Sequence, residues 1–156
     1  MDMTIGTTDG ILKKFRRNPS RFQRTFATPL PQLDKFVAAI LSVEDQFEEA
    51  TLIIDEVVFE PKTINGLLQK HAISTTCRNE SSFVAIGMAE IHELLQAALK
   101  DWVDFFFITK PKAVIIYADH DEYTTFFANT KGNLSRMADE LLSKGFKEVL
   151  GYQRTF

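Results

Sequence analysis

Apolar positions in residues 101–156 fall into three short runs, 102–108, 113–118 and 123–128, all rich in aromatic and β-branched side chains. Lys110-Pro111 interrupts the first gap, and Asp119-His120-Asp121-Glu122 fills the second. Runs of this length with turn residues between them predict a β-meander. The period then changes. Leu134, Met137, Leu141 and Leu142 share one helical face, Asn129 or Thr130 can cap its start and Gly145 its end. That spacing predicts a helix over about 130–144. Phe146 to Tyr152 reads as a strand returning to the sheet, which would then be mixed.

Upstream, Leu33, Phe36, Val37, Ile40, Leu41 and Phe47 keep the 3,4 spacing of one face, which predicts a helix from about 31 to 48 with Pro31 in its first turn. Leu52-Ile53-Ile54 and Val57-Val58-Phe59 favour a strand by their β-branched content, although the preceding helix can equally run on through 50–59. Glu60-Pro61 stops that element, and Ile64, Leu67 and Leu68 predict a short helix ending near Lys70-His71. Residues 75–82 are polar and read as a loop. Phe83 to Ile86, ahead of Gly87, reads as a short buried strand. The stripe Ile91, Leu94, Leu95, Ala98, Leu99 and Trp102 predicts a helix over 88–102.

These elements specify an α+β fold: a mainly antiparallel sheet of four to five strands with amphipathic helices packed on one face. Phe105-Phe106-Phe107-Ile108 lacks polar alternation, so this strand is expected at the centre, covered on both sides. If the chain leaves the second face bare, a partner or a second copy, as a homodimer, is expected there.

Composition narrows the class. A chain of 156 residues is about one domain, and its 14 Phe against three Tyr and one Trp mark mostly core. No apolar run is long enough for a membrane span, and Met1-Asp2-Met3-Thr4 does not open a secretory signal. A single cysteine, Cys77, excludes an internal disulfide and fits a reducing compartment. The expected location is the cytoplasm.

The net charge of −3 is unevenly laid out. Lys13, Lys14, Arg16, Arg17, Arg21 and Arg24 follow one another with no acid between them, while acids outnumber bases from Thr25 onward. The expected organisation is therefore a basic, mobile arm over 1–28 and a single acidic domain over 29–156, joined at Thr28-Pro29-Leu30-Pro31.

Candidate chemistry concentrates on one hairpin tip. Asp119, His120, Asp121 and Glu122 suit a divalent cation or a carboxylate–imidazole proton relay. They lack the spacing that wraps backbone around an ion, and Asp and His are ordinary turn formers. Cys77 has no nucleophile signature around it, and no phosphate-binding glycine loop, GxSxG, HExxH or CxxC pattern occurs. No cofactor and no catalytic residue is assigned, and an enzyme is the minority reading.

The expected function is non-catalytic binding of a macromolecule, most concretely an immunity- or antitoxin-like module that occludes a basic protein. Asp119, Asp121 and Glu122 are the expected contacts, flanked by His120 and Tyr123. Further surface carboxylates are expected at Glu44, Asp45, Glu48, Glu49, Asp55 and Glu56. One alternative is weak nucleic-acid contact through the six bases of the arm, interleaved with Phe15, Phe22 and Phe26. Against it stands docking of those rings onto the acidic body. A second alternative is a small hydrolase or metal enzyme using Asp119, His120 and Asp121.

Overall fold

The computed structural model describes residues 13, 15–17, 22–112 and 114–156. In chain order the elements are β1 (Phe22–Ala27), a 3-10 turn (Leu30–Gln32) leading into α1 (Leu33–Leu41), β2 (Glu49–Glu56), α2 (Lys62–Lys70), β3 (Ser82–Ile86), α3 (Met88–Lys100), β4 (Asp104–Lys110), β5 (Ile115–Ala118), β6 (Tyr123–Ala128) and α4 (Lys131–Ser143). Lys13 and Phe15–Arg17 are helical as well. The strands form one sheet in the order β1-β6-β5-β4-β2-β3, and every neighbouring pair is antiparallel.

Period-2 alternation divides the aromatic residues between two faces. Phe105 and Phe107 of β4 turn toward the helices, where they join Phe36, Leu52, Phe83, Leu94, Phe126 and Leu141 in the main core. Phe36 packs edge-to-face on Phe146 at 5.1 Å, which ties α1 to the segment after α4. Phe106 turns the other way. With Ile53, Ile115, Tyr117 and Phe127 it builds a smaller outer cluster, and Phe15 closes over it. Phe15 lies 5.3 Å from Phe106 and 5.1 Å from Phe127, and Phe156 lies 5.4 Å from Phe106. β4 is thus central and covered on both sides, as its lack of alternation predicts. The chain itself covers the middle of the second face.

Six strands replace the expected four to five. The additional edge strand, β1, comes from the stretch assigned to the arm. Phe22–Ala27 pairs with β6 over its whole length, so the portion of 1–28 from Phe22 onward belongs to the sheet. The helix expected over 31–48 stops at Leu41, where Ser42 folds back and its Oγ donates to the Ala39 carbonyl at 2.8 Å. Phe47 is buried from a loop rather than from that helix. Residues 49–56 are strand, so the strand reading holds for Leu52-Ile53-Ile54, whereas Val57-Val58-Phe59 lie beyond its end in irregular chain. The strand expected at 146–152 is reduced to one bridge, Phe26 with Glu148, flanked by Ala27 N–H to Lys147 O and Val149 N–H to Thr25 O. The mixed sheet therefore becomes a purely antiparallel one. Thr130 caps α4 by accepting from Asn133 N–H at 3.3 Å, and Gly145 ends it at φ +84°, the left-handed position that glycine occupies cheaply. No helix among the described residues is long and apolar enough to cross a membrane.

Candidate functional site

The expected hairpin tip stands where β2 finishes and β4 begins. Glu56 lies opposite Asp104, and Phe105 opposite Ala118, so the β5–β6 turn projects from the same end of the sheet. The nine expected surface acids do not share one area. Glu44, Asp45, Glu48 and Glu49 lie before or at the start of β2, and Asp55, Glu56 and the tip lie at its far end, about 23 Å away at 3.3 Å per residue.

Asp119 is not a surface contact. It is buried, and its Oδ2 lies 2.7 Å from Nη1 of Arg154. Its Oδ1 accepts the backbone N–H groups of Asp121 and Tyr123 at 3.0 and 3.1 Å, the local bonding that makes Asp a turn former. Both oxygens of Asp119 are thus engaged within the fold, one by Arg154 and the other by the backbone of its own turn.

His120 is pinned by a residue that the sequence did not single out. Asp104 Oδ1 accepts the backbone N–H of His120 and pairs with its Nδ1, both at 2.8 Å. A carboxylate accepts only, so Nδ1 carries the proton and Nε2 remains on the outer side, 3.8 Å from Asp121. The hydrogen bond to Asp104 raises the imidazole pKa; burial opposes this, and the charges of Asp104, Asp121 and Asp119 add to it.

Tyr123 is half-buried, with its ring 4.8 Å from that of Tyr152. Asp121 and Glu122 are exposed. Glu122 sits at φ +70°, a region that non-glycine residues enter at a cost of roughly 1 kcal/mol.

Behind the tip, Arg154 organises a buried polar network on the outer face. Its Nε donates to Thr125 Oγ1 at 3.0 Å, and its guanidinium lies 4.6 Å from the Tyr117 ring centroid. Its Nη2 is buried without a partner. Tyr117 donates its hydroxyl proton to Asp55 at 2.9 Å, and Arg16 reaches the other oxygen of Asp55 at 2.9 Å. Burial pushes the Tyr117 pKa up, and the Asp55 charge adds to that.

The arm's bases divide. Arg16 is engaged with Asp55, and Arg24 with both oxygens of Glu148 at 2.6 and 2.7 Å. Lys13 and Arg17 are exposed, while Lys14 and Arg21 lie outside the described residues. The docking of Phe15 with Arg16 matches the self-docking alternative for this segment.

For the metal alternative, Asp119 faces inward and His120 Nδ1 is committed to Asp104, which leaves Nε2 and Asp121. Among the described residues, no group of three or more His, Cys, Asp or Glu side chains is arranged to hold a metal. Cys77 is buried, and burial, with Asp101 second, pushes its thiol up to about 12. The histidines face carboxylates: His71 lies near Glu90 and Glu93, and His92 near Asp34.

Two exposed apolar side chains, Val58 and Phe59, follow β2 at the same end of the sheet, with Phe59 56% exposed. An open cleft of about 630 Å³ lies elsewhere, between α1 and α3 beside Glu44, Asp45 and His92. No family model, no curated protein and no solved structure matches this chain.

Proposed function

We propose that the protein is a non-catalytic binding module that receives a cationic macromolecule, most concretely a basic protein, at the sheet end carrying the β5–β6 tip. The contact carboxylates are Asp121, Glu122 and Glu56, with Phe59 as an apolar anchor beside them. One observation carries the reading: two exposed carboxylates stand on a turn fixed from beneath by Asp119 and Asp104. A turn fixed in this way loses little backbone freedom when a lysine- or arginine-rich surface settles on its carboxylates. The left-handed backbone at Glu122 supports the same reading, because a carboxylate stays there at a conformational cost that glycine would not incur. Phe59 supplies the kind of large, exposed ring that anchors interfaces.

The nucleic-acid alternative draws less support. Arg16 and Arg24, two of the expected phosphate contacts, already serve carboxylates of this chain. The hydrolase alternative has its Asp104–His120 pair, but no serine, threonine or cysteine is hydrogen-bonded to His120 among the described residues.

The test is affinity capture from cell extract at low and high salt, comparing the wild type with a Glu56→Gln/Asp121→Asn/Glu122→Gln variant. A basic protein retained by the wild type, released by salt and lost in the variant is the expected result. Identical partner lists would remove the proposal. Retention of nucleic acid by both forms would favour the arm.

A further inference from the structure

Residues 152–156 lie on the outer face in the way a bound peptide would. No backbone–backbone hydrogen bond ties them to the sheet among the described residues. Their backbone is held by a side chain instead: Gln23 accepts the Arg154 N–H at 2.7 Å and donates to the Arg154 carbonyl at 2.9 Å. An amide side chain that grips a peptide unit from both sides reads main chain, whatever residue stands there.

Two side chains fill two slots. The Arg154 guanidinium is over nine-tenths buried, between the Asp119 carboxylate, the Thr125 hydroxyl and the Tyr117 ring. Two residues on, Phe156 lies 5.1 Å from Tyr117 and 5.4 Å from Phe106. Thr155 between them faces solvent, as alternation in an extended segment requires. Gly151, at φ +77°, turns the chain onto the face.

The fit is incomplete in both slots. Nη2 of Arg154 is buried with no acceptor, a state that natural interiors seldom leave uncorrected. Phe156 keeps 47% of its surface exposed although an aromatic floor lies beneath it. The segment is thus held by side chains rather than by a backbone ladder, with one donor left unpaired and one ring half covered.

We infer that this groove is a binding site for an extended segment of a partner protein carrying an arginine and, two residues later, an aromatic ring, and that residues 152–156 occupy it in the partner's absence. The inference rests on the reading of a cationic partner and specifies how one of its arginines is received. Charge complementarity selects the occupant, because the arginine slot ends on Asp119, next to Asp104 and the exposed tip. The chain's own segment then acts as an internal competitor, so the observed affinity equals the intrinsic affinity multiplied by the fraction of molecules with an open groove.

The experiment uses a fluorescein-labelled peptide with the sequence of residues 150–156 and three forms of the full-length chain. Arg154→Ala/Phe156→Ala weakens the internal competitor, and this variant is expected to bind the peptide at least about tenfold more tightly than the wild type. Adding Asp119→Asn to that variant is expected to reverse the gain, and a peptide with alanine in place of arginine is expected not to bind. If the variants do not fold, hydrogen exchange on the wild-type chain is decisive. Excess peptide must then accelerate exchange of the Arg154 amide, which Gln23 protects in the closed form.

No binding to the opened variant, binding indifferent to Asp119, or an unchanged Arg154 amide would each overturn the inference. So would a wild-type dimer that exchanges residues 152–156, since the occupant would then be a second copy. Loss of captured partners on mutating Asp121 and Glu122, together with a peptide that never binds, would leave the proposed function standing and this inference refuted.

Discussion

Asp104 holds His120 at two points, the backbone N–H and Nδ1, through a single carboxylate oxygen 2.8 Å from each. One acid at the start of β4 therefore fixes both the turn and the imidazole that stands on it. A carboxylate used in this way favours the imidazolium over the neutral ring.

The consequence is a pH dependence with a definite sign. The folded pKa of His120 is raised above its ordinary value of 6.5, so the pair's contribution to stability is complete below about pH 6.5 and is lost as pH rises through the folded value. Urea unfolding at about pH 6 and about pH 8.5 is expected to show the wild type losing stability relative to His120→Gln. Equal differences at the two pH values would refute the assignment, as would a His120 NMR titration at or below the ordinary value.

Asp119 and Arg154 form the buried ion pair of the outer face. Removing one partner leaves the other charge desolvated, so Asp119→Ala is expected to cost about 3 kcal/mol. The double variant Asp119→Ala/Arg154→Met is expected to be more stable than Asp119→Ala alone, because no bare charge remains. Additive losses in a double-mutant cycle would show that the two side chains do not communicate.

Phe106→Ala opens a cavity between the central strand and the rings of Phe15, Tyr117 and Phe156, and is expected to destabilise by about 3–5 kcal/mol. Phe15→Ala removes a ring from above that cluster and is expected to cost about 2 kcal/mol. Denaturant midpoints in the reverse order would mean that the helical segment around Phe15 is not the cover described here.

Cys77 is expected to be inert in the folded state. With its thiol pushed up to about 12 by burial, thiol reagents at about pH 8 should label it only after unfolding. Labelling at the rate of a free thiol in native buffer would contradict the packing around it.

The meander was legible in the sequence because each of its strands carries its own pattern. Phe105-Phe106-Phe107-Ile108 announces double coverage, and the tip residues separate β5 from β6 unambiguously. Residues 22–27 read as an extended stretch of the arm rather than as a sheet strand, because Arg24 interrupts the apolar face of Phe22 and Phe26, the opposite face carries polar Gln23 and Thr25, and Arg24 resembles its basic neighbours. Its polar members have specific uses: Gln23 grips residue 154, Arg24 pairs with Glu148, and Thr25 bonds Thr125 at 2.8 Å. The helix at 31–48 was over-extended because Phe47 continues the spacing by coincidence while packing from a loop.

For the site, the tip's position was readable and its wiring was not. Asp119 and Asp121 look alike in sequence, yet one is buried and the other exposed, and the difference is made by Arg154 far along the chain. The one local hint was an acid, Asp104, opening an otherwise apolar run.

β1 finds hydrogen-bonding neighbours in β6 and in the segment that follows α4, Thr125 standing 100 positions after Thr25 and Glu148 124 after Arg24. During synthesis, that ribbon must wait, edge bare, while nearly all of the intervening polypeptide emerges from the ribosome. Closure of this border is expected to be the slow, late step of self-assembly, and the interval in which a nascent molecule is most open to mispairing with another.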